Sequence, residues 1–151
     1  MYSKQEAARM REQFWIAFGK YMKPVLSAEG TALNWINYKT GVRHIFFRMD
    51  AGRSGAYIAI ELTHTEEVER EQCWQQFLGL GTLFAHTAGM DWEWQAAATN
   101  DAGLPISRIS CSLKEVSIYR QEDWPAIISF LKPRILSLDE FWTNVKPVFE
   151  C

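Results

Sequence analysis

The sequence predicts an α+β fold, a two-layer sandwich in which an antiparallel sheet of about five strands carries its helices mainly on one face. Both ends of the chain space their apolar residues three or four apart, as amphipathic helices do. The middle instead alternates apolar and polar residues in short runs separated by turn residues, which is typical of antiparallel strands. Strands and helices do not alternate around glycine-rich turns, which argues against a doubly wound nucleotide-binding fold. The predicted element order is α-β-β-β-α-β-β-α.

Length, charge and cysteine content narrow the class of protein. The 151 residues are typical of a single α+β domain, which spans residues 1–151. A hydrophobic fraction of 48% predicts a folded core, and a net charge of −2 argues against nucleic acid as the main partner, without excluding it. Three widely spaced cysteines predict reduced thiols, and neither a secretory signal nor a membrane-spanning apolar stretch is visible. We therefore expect a cytoplasmic protein with no membrane partner.

The first third of the chain is predicted to form a helix, a loop and a short strand. Ser3 and Glu6 make a capping-box pattern, in which each side chain can bond a free backbone N–H of the first turn. Apolar residues then keep helical spacing, so we predict a helix over residues 4–22, which Pro24 ends. Residues 34–39, with two aromatic rings and an isoleucine, predict a short strand.

Two further strands, over residues 42–49 and 56–63, are predicted to form a β-hairpin around the turn at 50–55. One face of this hairpin is wholly apolar and predicts the side that packs on the helices. The opposite face mixes aromatic, charged and polar side chains, namely His44, Phe46, Arg48, Tyr57, Glu61 and Thr63.

A second helix and a second hairpin follow. Thr65 is the predicted helix cap, and the buried stripe is Cys73, Phe77, Leu80 and Phe84. Gly79 and Gly81 weaken this helix, so it either bends there or packs closely against another element. Residues 91–99 and 106–113 then predict a hairpin that is symmetric about its turn. This symmetry places Trp94 opposite Ile109, and Gln95 opposite Arg108.

The last segment has the most regular pattern. Its apolar residues are spaced alternately four and three apart from Trp124 to Phe149, which predicts a long helix, or a helix pair, lying across the sheet. Pro125 is a favourable start. Pro133 lies inside the pattern and is expected to kink or split the helix near residues 129–132.

The mixed face of the first hairpin is the predicted binding site. Aromatic and arginine side chains on an uncovered sheet are typical of surfaces that recognise a peptide, a ring-shaped ligand or unstacked bases. A solvated face and a homodimer interface are the other interpretations. We predict an uncharacterised, non-enzymatic binding domain whose partner is an unknown protein or a second copy of itself. Its candidate binding residues are Trp35, His44, Phe46, Arg48, Tyr57 and Glu61.

The alternative function is a divalent-metal nuclease or a nuclease accessory. Asp50, followed by Glu61 and Thr63 on a hairpin, resembles the Asp…Glu-x-Lys pattern of restriction-type endonucleases, although Thr63 stands where that pattern has lysine. The three histidines have no ligand spacing, and His44 and His64 are expected on opposite faces of their hairpin. The sequence therefore predicts no metal site, no cofactor and no assigned catalytic residue.

Several strings taken together resemble a bacterial family of about this length that is known only as a domain of unknown function. The strings are Phe14-Trp15, residues 34–41, residues 58–62, residues 92–94, Ser107-Arg108-Ile109 and residues 139–142. The resemblance implies a domain that occurs alone or C-terminal to endonuclease-like modules, and it supplies no catalytic residues. The element order separately resembles the type III secretion chaperone-like architecture, which is an analogy of fold alone.

Overall fold

The computed structural model describes residues 3–150 and combines one antiparallel sheet with four α-helices and a short 3₁₀ turn. The elements in chain order are α1 (Lys4–Met22), β1 (Ile45–Ala51), β2 (Gly55–Leu62), α2 (Glu67–Gly79), α3 (Gly81–Ala88), β3 (Glu93–Thr99), β4 (Pro105–Lys114), the 3₁₀ turn (Gln121–Asp123) and α4 (Trp124–Phe149). The α+β class and the helix over residues 4–22 are confirmed. The Ser3 side chain caps α1 by accepting a hydrogen bond from the N–H of Glu6 at 3.2 Å.

The sheet has the strand order β1-β2-β4-β3, and every neighbouring pair is antiparallel. The two predicted hairpins therefore lie side by side, joined by the pairing of β2 with β4. The predicted register of the second hairpin is confirmed, since Trp94 lies opposite Ile109 and Gln95 opposite Arg108. Beyond Gln95 the register shifts by one residue before Ala98, so β3 contains a bulge.

The predicted strand at residues 34–39 is wrong, and the sheet has four strands instead of five. Side chains hold this segment as a loop against α4 and its own neighbours. The Tyr38 hydroxyl donates to the Asp139 carboxylate at 2.5 Å, and the Trp142 Nε1–H donates to the Thr40 carbonyl at 2.8 Å. These two bonds tie the segment, and the residue that follows it, to α4, so the segment lies beside β1 without joining the sheet.

The second predicted helix is broken where its glycines predict a bend. Helix α2 ends at Gly79 and α3 begins at Gly81, with Leu80 between them in a non-helical conformation. A Cβ atom added to either glycine would meet nothing within 4 Å, so the break, and not close packing, accounts for the pair. Thr65 does not cap α2, because the helix begins at Glu67 and its N-cap residue is Glu66, which makes no side-chain capping bond.

Helix α4 runs through Pro133 as one 26-residue helix, so the predicted long helix is confirmed and its alternative, a split near residues 129–132, is wrong. Proline in a helix interior costs about 3 kcal/mol, because it removes a hydrogen bond and crowds the preceding turn. Leu131, Ile135 and Leu138, on either side of it, are fully buried against the rest of the core, and this burial outweighs the cost. Among the helices of residues 3–150, none combines the length and the apolar character needed to cross a bilayer.

Aromatic rings fill the space between the helices and the sheet. Phe77 of α2 is fully buried, and its ring lies 4.6 Å from the Phe149 ring and 6.5 Å from the Trp142 ring of α4. On the sheet side, the Phe47 ring meets Trp142 edge-on at 5.7 Å. Most of the chain's aromatic content is therefore core packing that joins α2, α4 and β1.

We expect Phe77→Ala to lower the free energy of unfolding by about 3–5 kcal/mol, because it removes a buried ring and leaves a cavity beside α4. Urea denaturation followed by tryptophan fluorescence measures the change. Leu78→Ala, the neighbouring residue with 45% of its surface exposed, is the matched control, since it opens no cavity. Equal losses in the two variants would contradict this account of the core.

Candidate functional site

The sheet face opposite the helices, together with the free edge of β1, borders an open depression of about 840 Å³. We call it the β1 groove, because five consecutive residues of that strand line it, from Phe46 to Asp50. Strands β2 and β4 contribute Tyr57, Glu61 and Arg108, and Thr63, which follows β2, also lines the groove. The other walls come from α1, from the loop before β1 and from the β3–β4 turn, as Arg11, Trp15, residues 36–39 and residues 100–102. The groove thus unites four of the six predicted binding residues: Phe46, Arg48, Tyr57 and Glu61.

Glu61 joins two arginines at the floor of the groove. Its carboxylate accepts a hydrogen bond from Arg48 Nε at 2.7 Å and another from Arg108 Nε at 3.2 Å. Arg108 lies directly opposite Glu61 in the β2–β4 register, and Arg48 reaches it diagonally from β1. Glu61 is only 5% exposed, so the two guanidinium groups compensate a charge that burial would otherwise penalise.

Arg48 and Phe46 are the exposed residues that the strands contribute to the groove. They are two residues apart on β1 and so share a face of the sheet. The Arg48 guanidinium lies 4.7 Å from the centre of the Phe46 ring, a cation–π arrangement. Phe46 is nevertheless 40% exposed, which leaves apolar surface open to a ligand.

Tyr57 lies at the acidic side of the groove. Burial raises the pKa of its phenol above the ordinary value, and the nearby carboxylates of Asp50, Glu61 and Asp101 raise it further, while Arg108 opposes them. A neutral phenol next to charged groups can donate one hydrogen bond and accept others. Tyr57 therefore adds a neutral polar contact to a groove otherwise built from charges and rings.

The two carboxylates of the nuclease interpretation do not meet. Asp50 pairs with Arg11 of α1, whereas Glu61 pairs with Arg48 and Arg108. In the β1–β2 register Asp50 lies opposite Tyr57 and Glu61 opposite Phe46, which separates the carboxylates by four residues, or about 13 Å along the strand. Within residues 3–150, no cluster of three or more His, Cys, Asp or Glu side chains is placed to hold a metal ion. No observation of these residues favours metal-dependent cleavage.

Trp35 and His44 lie outside the groove, contrary to the prediction that they share its face. Trp35 is buried, and its Nε1–H donates to the Val25 carbonyl at 3.0 Å. His44 precedes β1 with a left-handed φ of 68°, which turns its ring toward His64, 5.0 Å away. The expectation that these two histidines occupy opposite faces is therefore wrong. Burial and the neighbouring His44 lower the pKa of His64.

The sequence predicted several groove residues on β1 and β2, but not those that α1 and the β3–β4 turn contribute. The hairpin register places Arg108 opposite Gln95, but the contact of Arg108 with Glu61 requires β2 to pair with β4, across two intervening helices. Arg11 and Trp15 belong to α1, and nothing in the spacing of that helix shows that it lies beside β1. Such contacts between distant segments leave no periodic signal in the sequence.

We expect Glu61→Gln to lower the free energy of unfolding by about 1–3 kcal/mol, because it leaves two arginines beside a neutral amide. Urea denaturation measures the loss. Glu93→Gln, at an exposed position of β3, removes the same charge without a buried partner and is expected to change stability little. The role of Glu61 as the link between the arginines would be wrong if both variants lost the same amount.

Tyr57 also predicts a pH dependence. Because the folded protein holds the Tyr57 proton more tightly than the unfolded chain does, the stability from the neutral phenol is present below pH about 10. That stability is lost as the pH rises through the raised pKa of the folded state. Tyr57→Phe is therefore expected to make the fall in unfolding free energy above pH about 10 shallower.

Urea titrations of the Tyr57→Phe variant and the wild type between pH about 9 and 11 measure this slope. Tyr21→Phe, at a ring that is 50% exposed, is the matched control for loss of a hydroxyl. Identical slopes for the wild type and Tyr57→Phe would contradict the assigned environment of Tyr57.

Comparison with known proteins places the chain in a family. A protein-family model described as a domain of unknown function (DUF4268) matches residues 10–146, which contain all four strands and every residue of the β1 groove. No curated protein and no solved structure matches the chain, so the likeness to secretion chaperones suggested by the element order gains no support. Since the match covers well over half of its length, the chain belongs to the DUF4268 family, a domain of unknown function.

Proposed function

We propose that the domain is a non-enzymatic binding module that holds a partner protein through the β1 groove. The observation that carries this proposal is the pair of arginines joined by Glu61. Each arginine bonds Glu61 through its Nε, and within residues 3–150 no group accepts a hydrogen bond from the terminal nitrogens of either one. Two preoriented guanidinium groups can therefore each offer donors to an incoming carboxylate or carbonyl.

The shape and chemistry of the groove support the same proposal. Its volume of about 840 Å³ lies within the range of ligand sites. Four cationic residues line it against three acidic ones, and two of those acids are already engaged by arginines. Arginine beside exposed aromatic surface is the composition enriched at the centres of protein interfaces.

The double variant Arg48→Glu with Phe46→Ala tests this function. It replaces the exposed charge and the exposed ring that β1 contributes to the groove, while leaving the apolar face of β1 intact. We expect it to fold and to lose the partner that the wild-type chain captures from the native cell, because a glutamate in place of Arg48 repels acidic groups. The measurement is quantitative mass spectrometry of captured proteins, with circular dichroism as the check on folding.

The matched control is Arg53→Glu with Leu26→Ala, which makes the same types of change at exposed positions outside the groove. A protein recovered with the wild type and the control, but not with the groove variant, supports the proposal. If all three chains recover the same proteins, and if the groove variant sediments with the same oligomeric state as the wild type, the groove is a solvated surface.

A further inference from the structure

Strand β1 is an edge strand, and the hydrogen bonds at its two ends fix which of its backbone groups face outward. Thr63 N–H donates to the His44 carbonyl at 2.9 Å, and Gly52 N–H donates to the Gly55 carbonyl at 2.8 Å. The register between these two bonds is continuous. Because bonded and non-bonded pairs alternate in an antiparallel ladder, residues 46, 48 and 50 bond β2. Residues 45, 47, 49 and 51 direct their N–H and C=O groups away from the sheet.

Both ends of this outward row are occupied. At one end, the Ile45 carbonyl accepts from Thr40 Oγ1 at 2.7 Å, and the Ile45 N–H donates to the Val42 carbonyl at 3.3 Å. At the other end, the Ala51 carbonyl accepts from Arg11 Nη1 at 2.6 Å, and the Ala51 N–H bonds the Asp50 carboxylate at 2.9 Å. Side chains and the preceding turn thus take the place of a neighbouring strand at each end.

The middle of the row is open. Within residues 3–150, no group bonds the outward N–H or C=O of Phe47 or Met49, which leaves two donors and two acceptors side by side. Both residues line the β1 groove, whose far wall is the loop of residues 36–39. The free N–H and C=O groups of these two residues are spaced so that one extended chain could form hydrogen bonds with all of them.

The opposite edge of the sheet, formed by β3, is irregular. Strand β3 carries the bulge between Gln95 and Ala98, and the Ala96 carbonyl there is taken by the Ser107 hydroxyl at 2.7 Å. Bulges of this kind are a common way in which proteins prevent pairing at an edge. The β1 edge has no such interruption along its seven residues.

We propose that an extended segment of the partner protein adds to β1 as a fifth strand, through Phe47 and Met49, and carries an acidic side chain flanked by apolar ones. The proposal rests on the binding function assigned to the groove and names the class of its ligand. Main-chain hydrogen bonds supply affinity in this mode, and alternate side chains supply specificity.

The alternation of side chains gives the pattern of the partner segment. A residue that lies opposite Arg48 points to the same face as Arg48, whose terminal guanidinium nitrogens bond no group within residues 3–150. An aspartate or glutamate there can reach the free nitrogens of the guanidinium. The residues before and after this acidic one in the partner segment point to the other face. There they meet the apolar side chains of Phe47, Met49 and Ile36, so we expect them to be apolar.

A second copy of the chain is a poor occupant of this edge. Two copies related by a two-fold axis can pair the outward N–H and C=O groups of both residues only when Phe47 of each copy lies opposite Met49 of the other. That register puts the two Arg48 side chains directly opposite each other, and like charges in this position are destabilising. An acidic residue in a different chain removes this repulsion.

The test uses the isotopically labelled full chain and two capped pentapeptides, Thr-Val-Glu-Val-Thr and Thr-Val-Lys-Val-Thr. Backbone amide signals are followed by nuclear magnetic resonance during titration. We expect the glutamate peptide to bind saturably, to shift the amides of Phe47 and Met49, and to bind about tenfold or more tightly than the lysine peptide. N-methylation of both valines in the glutamate peptide should weaken binding by about tenfold or more, with no change to the protein.

Protein variants separate backbone from side-chain effects. Met49→Pro removes one outward N–H, and proline is tolerated on an edge strand where the N–H faces away from the sheet. Met49→Val keeps that N–H and is the matched control. Arg48→Glu should reverse the preference between the two peptides, whereas Arg53→Glu should leave it unchanged.

The outcomes test strand addition at β1 separately from the binding function of the groove. Loss of binding in Met49→Pro but not in Met49→Val supports strand addition. The inference is overturned if the glutamate peptide does not bind, if it binds without shifting the Phe47 and Met49 amides, or if Met49→Pro binds it as the wild type does. If it is overturned while the Arg48→Glu, Phe46→Ala variant still loses its partner, the groove binds a ligand of another class. If that variant loses nothing, both proposals fail.

Discussion

The packing of the Trp142 side chain is the interaction on which the rest of the structure depends. This indole is 2% exposed, and its ring contacts Phe47 of the sheet, Phe77 of α2 and Phe149 near the end of its own helix. A buried indole N–H needs an acceptor, and here the acceptor is the Thr40 carbonyl. One side chain of α4 therefore fixes the helix against the sheet and also holds the loop that precedes β1.

The same helix shapes the wall of the groove through a buried carboxylate. Asp139 is 3% exposed and accepts hydrogen bonds from the Ala28 N–H at 2.7 Å and from the Tyr38 hydroxyl. Burial, together with the bond to Asp139, raises the pKa of Tyr38, so its hydroxyl stays protonated and remains a donor. The segment beside β1 is thus held by the Tyr38 side chain, while no group among residues 3–150 bonds the outward backbone of Phe47 and Met49. The groove lies beside the middle of β1 because Tyr38 is bonded to α4, and the bond from this loop to β1 is made at the end of the strand, from Thr40 to the Ile45 carbonyl.

The elements whose signals are local could be predicted from the sequence, and those that depend on distant contacts could not. The capping pattern of Ser3 and the symmetric hairpin around residues 100–103 involve neighbours in the chain, and both are confirmed. Residues 34–39 have the composition of a strand, yet their fate is decided by Asp139, a hundred residues away. Pro133 likewise has a strong local preference that the burial of its neighbours overrides. For the groove, alternation along β1 and β2 located Phe46, Arg48, Tyr57 and Glu61, whereas the partners of Glu61 and the burial of Trp35 required the tertiary structure.

The unequal edges of the sheet bear on how the molecule can assemble. A sheet that exposed two regular edges could join copies head to tail, β3 of one against β1 of the next, and such contacts grow into an open filament whenever the rotation between copies does not close a ring. The bulge in β3 removes one of the two surfaces that this growth requires, and Arg48 disfavours the symmetric β1 pairing. The strand addition proposed at β1 is therefore expected to place one partner strand on each domain and not to grow head to tail into a filament.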